Sequence, residues 1–274
     1  MTFHERSINA LTFSSVCIGL DTDPELLPAA VRSEKDPVLA FNCAIIDATC
    51  DLAGAYKPNF AFYEAIGIDG WRILVETVKY IRSRTPKALI IADAKRGDIG
   101  NTSLKYAQAI LREMDFDCIT LSPYMGADSI EPFIRDEKRG AFVLCLTSNK
   151  GSDDFQRLES GGIRNYEHVI KHTQKWNRLN NCGLVVGATH PQEMMQIRGL
   201  AGSMPFLVPG IGAQGGDLSA VVKANYDGFK VNAFVNSSRG IIYASKGNDF
   251  AERAREETLR LKQLIEDAAI ALKK

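Results

Sequence analysis

The stretch ALIIADAKRGDIGNT, Ala88 to Thr102, decides how this chain folds. Its first half is a short apolar run, the length of a buried strand and too brief for a core helix. Its second half sets Asp93, Lys95 and Asp98 within six residues, with Gly97 freeing the backbone to bend. A surface turn carries such charges freely. At the end of a core strand they need each other or a ligand, because desolvated charge is expensive.

The same grammar recurs along the chain. VCIGL leads into DTDPE, AGAYK into PNFAFYE, CITLS into PYMGAD, and AFVLCL into TSNKGS. CGLVVG is followed by ATHPQEM, PFLVPG by IGAQGGD, and GFKVN by AFVNSSRG. Between these runs lie amphipathic segments such as GWRILVETVKYIRS, with apolar residues three and four apart. Continuous apolar strands alternating with helices imply parallel strands covered by helices. Eight such units in 274 residues fit an α/β fold of the closed (β/α)₈ TIM-barrel type, a single domain over residues 1–274. A doubly wound open sheet is the alternative. An extra helix is expected before the first strand, and DFAERAREETLRLKQLIEDAAIALKK reads as a long closing helix.

Composition narrows the partners. Acidic and basic residues balance at 33 each, so no overall field points to nucleic acid or an anionic membrane. No run is long and apolar enough to span a bilayer. The opening residues MTFHERSINALTFSS do not resemble a signal peptide, and the six cysteines show no CxxC spacing. Both features imply a cytoplasmic protein with reduced, buried thiols.

In a barrel, residues just after each strand converge on one rim. Asp21, Lys57, Asp93, Lys95, Ser148, Gln214 and Arg239 all fall there. Strand alternation puts Asp93 and Lys95 on the same side, and Lys57 ends the neighbouring strand. With Asp98, these residues can form an array of alternating charge. A fixed carboxylate beside an ammonium would repel an anionic leaving group, and the ammonium would stabilise and then protonate a carbanion. That is a decarboxylation arrangement needing no cofactor. Proton abstraction or Schiff-base formation by Lys95 are competing uses, although an ammonium clamped by acids makes a poor nucleophile. A simple rim ion-pair network is the non-catalytic reading.

These residues resemble a known signature. DAKRGDIGNT, with its Asp-x-Lys-x-x-Asp core, is similar to that of the orotidine 5′-phosphate decarboxylases. IGLD, YKPNFAFYE, LTSNKGS, PGIGAQGGD and NSSRGI follow in the family's order, most like its longer bacterial branch. The resemblance implies a homodimeric barrel converting orotidine monophosphate to uridine monophosphate and carbon dioxide in pyrimidine synthesis. It implies that Lys95 donates the proton to C6, Asp93 sits against the substrate carboxylate, and Lys57 orients Asp93 and touches the ribose. Asp21 would bind the ribose, and Asp98 and Thr102 would cross into the partner's site. Ser148 would read the pyrimidine edge, while Gln214 and Arg239 would hold the phosphate. No metal or other cofactor is implied.

GIGAQG, Gly210 to Gly215, matches the dinucleotide pattern GxGxxG literally, but it follows the seventh strand rather than the first. There a barrel commonly holds a phosphate, with a helix N-terminus behind it, and Arg239 could grip the same group bidentately. TSNKGSDDFQRLESGG, after the fifth strand, is long and polar enough to be a lid. Lys150 stands where the family pattern has proline, which leaves the lid's rigidity open. His168 and His172 lack the intervening glutamate of a zinc motif and read as residues of a solvated helix. Related barrels that act on sugar phosphates with a metal, as decarboxylase or aldolase, share Asp-x-Lys-x-x-Asp. They carry an acid where this chain has Lys57, and a lysine cannot bind magnesium. A noncatalytic phosphate-ligand binding protein is the third possibility.

Overall fold

The computed structural model describes residues 1–189, 191–211 and 217–273. Eight parallel strands close into a barrel in which each pairs with its neighbours in sequence and the last returns to the first. They are β1 (Val16–Leu20), β2 (Ala55–Pro58), β3 (Leu89–Arg96) and β4 (Cys118–Leu121). β5 (Gly140–Leu146), β6 (Cys182–Val186), β7 (Phe206–Val208) and β8 (Ala233–Ser237) complete it. Helices such as Ile68–Arg84 and Asn165–Trp176 lie between strands, and Phe250–Ala271 is the long closing helix.

One expected strand is displaced. GFKVN is not the eighth strand; AFVNS is, five residues further on. Gly228 has φ +91°, and the Asp227 carboxylate accepts the amides of Phe229 and Lys230 at 2.9 and 2.8 Å. The apolar pattern of GFKVN therefore belongs to a turn stapled by its own aspartate, with Phe229 exposed to solvent.

Two apolar shells follow from strand alternation. Val16, Ile18, Leu20, Tyr56, Ile90 and Ala92 face the surrounding helices. Cys17, Ala55, Leu89, Ile91, Cys118, Phe142, Val185, Leu207 and Phe234 fill the barrel. The helix Phe3–Phe13 closes its lower end, started by a capping box between Thr2 and Glu5. Phe3 meets Phe142 edge to face at 6.3 Å between ring centres. Buried Asp117 fixes this end by accepting Arg6 and Arg82 at 2.7 and 2.6 Å and the Ile90 amide at 2.8 Å.

Candidate active site

The inward rows change chemistry at the upper end of the barrel. On β3 the row Leu89, Ile91 continues to Asp93; on β2, Ala55 is followed by Lys57. On β4 the inward residue after Cys118 is Thr120, and on β8 the one after Phe234 is Asn236. Thus the same period that packs the core with apolar side chains delivers polar ones to its rim.

Asp93 is the centre of this layer. Its Oδ2 accepts Lys57 Nζ at 2.7 Å and its Oδ1 accepts Lys95 Nζ at 2.6 Å. Lys57 is only 4% exposed, and its second carboxylate, Asp21, lies 3.7 Å away. Burial alone would raise the Asp93 carboxyl, but the flanking ammonium groups of Lys57 and Lys95 hold it well below the usual carboxylate range. Burial opposes charge on Lys57 as well, yet Asp93 and Asp21 outweigh it and push its pKa up. Asp93 and Lys57 therefore both stay ionised at neutral pH. Cys17, packed beneath them, has its thiol pushed up to about 12, chiefly by burial, and remains a neutral floor.

Lys95 does not arrive by simple alternation. The β3–β4 register runs from Ala92 opposite Ile119 to Arg96 opposite Leu121. Three residues of β3 thus face the single residue Thr120, a bulge of the kind that re-aims side chains beside active sites. Within it Lys95 takes φ +45°, a left-handed conformation costing a non-glycine residue roughly 1–2 kcal/mol. Arg96, the remaining cation of the run, turns outward to pair with Glu64 and lies over the rings of Phe60 and Tyr106.

A cavity of about 160 Å³ opens above the array, lined by Asp21, Lys57, Asp93, Pro209, Gly210, Ile211, Asn236, Ser237, Ser238, Arg239 and Gly240. Among the described residues, Asp21 Oδ1 is buried there with no hydrogen-bond partner, 3.7 Å from Lys57 Nζ. Arg239 is exposed and lines the same cavity as Gly210, whose φ is +96°. Gln214 lies outside the described residues. Gly19 makes room for this wall: a Cβ on it would stand 1.9 Å from Ser238 Oγ.

Other expected residues lie apart from the array in the single chain. Asp98 accepts the Ile99 amide at 2.7 Å, and its backbone carbonyl accepts Ser103 Oγ. Thr102 is half-buried in the first turn of the helix Gly100–Ala107. Neither has a hydrogen bond or ion pair to the array. Ser148 sits against Gly187, its hydroxyl buried and without a hydrogen-bond partner among the described residues. The segment after it is more ordered than a plain loop. Lys150 opens a short 3₁₀ turn, Lys150–Asp154, and Glu159–Ser160 pairs with Ile163–Arg164 around two glycines. Arg157 grips Glu193 at 3.1 and 2.8 Å, and Gln156 accepts the Thr147 amide.

The fold and this rim can be set beside known proteins. The model of the orotidine 5′-phosphate decarboxylase / HUMPS family matches residues 14–254. The chain belongs to that family. An orotidine 5′-phosphate decarboxylase of Flavobacterium johnsoniae is 48% identical over 260 residues, 95% of this chain and 94% of that one. The Cellvibrio japonicus protein of the same name is 47% identical over 97% of this chain and 98% of its own. Among solved structures, Leishmania donovani OMP decarboxylase superposes with a TM-score of 0.84 at 34% identity, covering 98% of this chain and 100% of the other. Within the family frame, the residues that sequence reasoning passed over are Thr120 and Asn236. Both carried a legible signal, since each lies two positions beyond an inward core residue.

Proposed function

We propose that this family member is a decarboxylase of orotidine 5′-monophosphate, forming uridine monophosphate and carbon dioxide in pyrimidine synthesis. The observation that carries the reading is the Lys57–Asp93–Lys95 array, two ammonium groups held at 2.7 and 2.6 Å by one buried carboxylate. With the pyrimidine above it, the bond between C6 and the carboxylate breaks and the electron pair stays on C6. The Lys95 ammonium stabilises that charge and hands C6 a proton, leaving a neutral amine. Asp93, held anionic, stands against the departing carboxylate and keeps Lys95 aimed. Its fixed charge needs no reorganisation during the reaction.

Lys57 orients Asp93 and, with Asp21, meets the ribose. Arg239, with Gln214, holds the phosphate, and Ser148 offers its buried hydroxyl to the base edge. Asp98 and Thr102 belong to the neighbouring site of a homodimer, which accounts for their separation from the array in one chain. The reading takes residues 1–274 as one barrel domain with no metal or other cofactor, working in the cytoplasm. No helix among the described residues is long and apolar enough to cross a membrane.

A metal-dependent sugar-phosphate enzyme is the other member of this superfamily to weigh. Against it stands Lys57, an ammonium where a hard cation would need an oxygen ligand. The test follows the ultraviolet change as purified protein consumes orotidine monophosphate with and without a chelator. Turnover unaffected by chelation is expected; inactivity toward the nucleotide together with metal-dependent action on a sugar phosphate would overturn the assignment.

A further inference from the structure

Thr120 is buried opposite the β3 bulge, and its hydroxyl is used twice. It accepts the Lys95 backbone N–H at 3.0 Å and donates to Asp93 Oδ1 at 3.1 Å. That carboxylate oxygen is the one that accepts Lys95 Nζ at 2.6 Å. Three groups therefore close a small ring: a hydroxyl, a carboxylate, and the two ends of one lysine.

The ring answers a problem created by the bulge. Two additional residues on β3 displace the Lys95 amide from the regular ladder, and an unpaired amide there would have to find another partner. The left-handed φ of +45° is one that lysine seldom adopts. Among the described residues the Lys95 ammonium has a single hydrogen-bond partner, Asp93, and half of its side chain is open to solvent. Its position thus depends on the backbone beneath it.

We infer that Thr120 is a positioning residue for the proton-donating lysine, its hydroxyl holding the Lys95 backbone in the left-handed conformation that brings the ammonium to Asp93. The inference rests on the reading of Lys95 as the proton donor. It assigns Thr120 no contact with substrate.

Thr120→Val keeps shape and removes the hydroxyl, while Thr120→Ser keeps the hydroxyl. In Thr120→Val, kcat should fall roughly 10- to 100-fold, the effect of losing one or two buried hydrogen bonds that aim a catalytic group. KM and the affinity for uridine monophosphate, measured by titration, should stay within about threefold, because uniform binding is untouched. The acid limb of the kcat–pH profile should move upward, since Asp93 loses a donor to its charged form. Thr120→Ser should restore kcat to within about threefold of the parent. A valine variant with parental kcat, or a serine variant as impaired as the valine one, overturns the inference. Lys95→Ala run in parallel separates the two levels. If it still turns over orotidine monophosphate, the proton-donor reading fails; if it is inactive while Thr120→Val is not impaired, only the role of Thr120 fails.

Discussion

Replacing Asp93 with asparagine leaves the shape of the array and removes its central charge. Lys57 is 4% exposed and, among the described residues, would keep only Asp21, at 3.7 Å, as a counter-charge. With an effective dielectric of about 20, unit charges at the 2.7 Å of Lys57–Asp93 attract by about 6 kcal/mol and at 3.7 Å by about 4.5 kcal/mol. Part of the first figure is returned, because the variant no longer desolvates a carboxylate. The half-exposed Lys95 contributes little, being screened by water. An upper limit comes from Lys57 itself. It can shed its proton at pH 7 for about 4.6 kcal/mol relative to an ordinary lysine. The expected loss of stability is therefore about 3–4 kcal/mol, in the range for breaking one partner out of a buried pair.

The pH dependence has a definite sign. The folded pKa of Asp93 lies below its unfolded value, so its stabilisation is complete above the ordinary aspartate range, near pH 4 to 5, and is lost as pH falls toward the depressed value. Urea unfolding at fixed protein concentration should show the parent and Asp93→Asn converging between about pH 5 and pH 2. A difference at pH 7 below about 0.5 kcal/mol would refute the claim that Asp93 holds a desolvated cation. So would a difference that stays constant down to pH 3.

Two further outcomes bear on the site. Gly19→Ala places a methyl 1.9 Å from Ser238 Oγ, so the wall must move; a loss of about 1–3 kcal/mol in unfolding and a raised KM are expected. A parental KM would show the wall to be compliant. Mixing subunits carrying Asp98→Ala with subunits carrying Lys95→Ala should regain part of the activity, because in the proposed homodimer one shared site of the hybrid is intact. Proven exchange without recovery would return Asp98 to its own subunit.

The barrel was legible because its signal is local and repeated: an apolar run, a polar turn, an amphipathic segment. The array was legible for the same reason, since Lys57 and Asp93 lie on the inward parity of their strands. Where local pattern failed, a side chain had redirected the backbone. Asp227 folds GFKVN into a turn, and nothing in its hydrophobicity differs from a strand. The bulge at Lys95 was hidden because alternation predicts the correct side for the lysine by the wrong route. Parity makes Thr120 legible as an inward rim residue, but its bond to the Lys95 amide comes from a register shift between two strands that no single-strand pattern displays. Asp98 and Thr102 are a different case: their proposed setting lies between subunits, which no single-chain pattern displays.

Consider last the plug of Phe3 against Phe142. With the lower end stopped and the interior filled by side chains, the charged array lies at the end opposite the plug, beneath the cavity that Arg239 lines. On the proposed reading, the gas is released at the array while the nucleotide still occupies the cavity above it. Carbon dioxide then slips past the sugar or follows it out, so the order in which the two products leave is set on the side of the cavity that Arg239 lines.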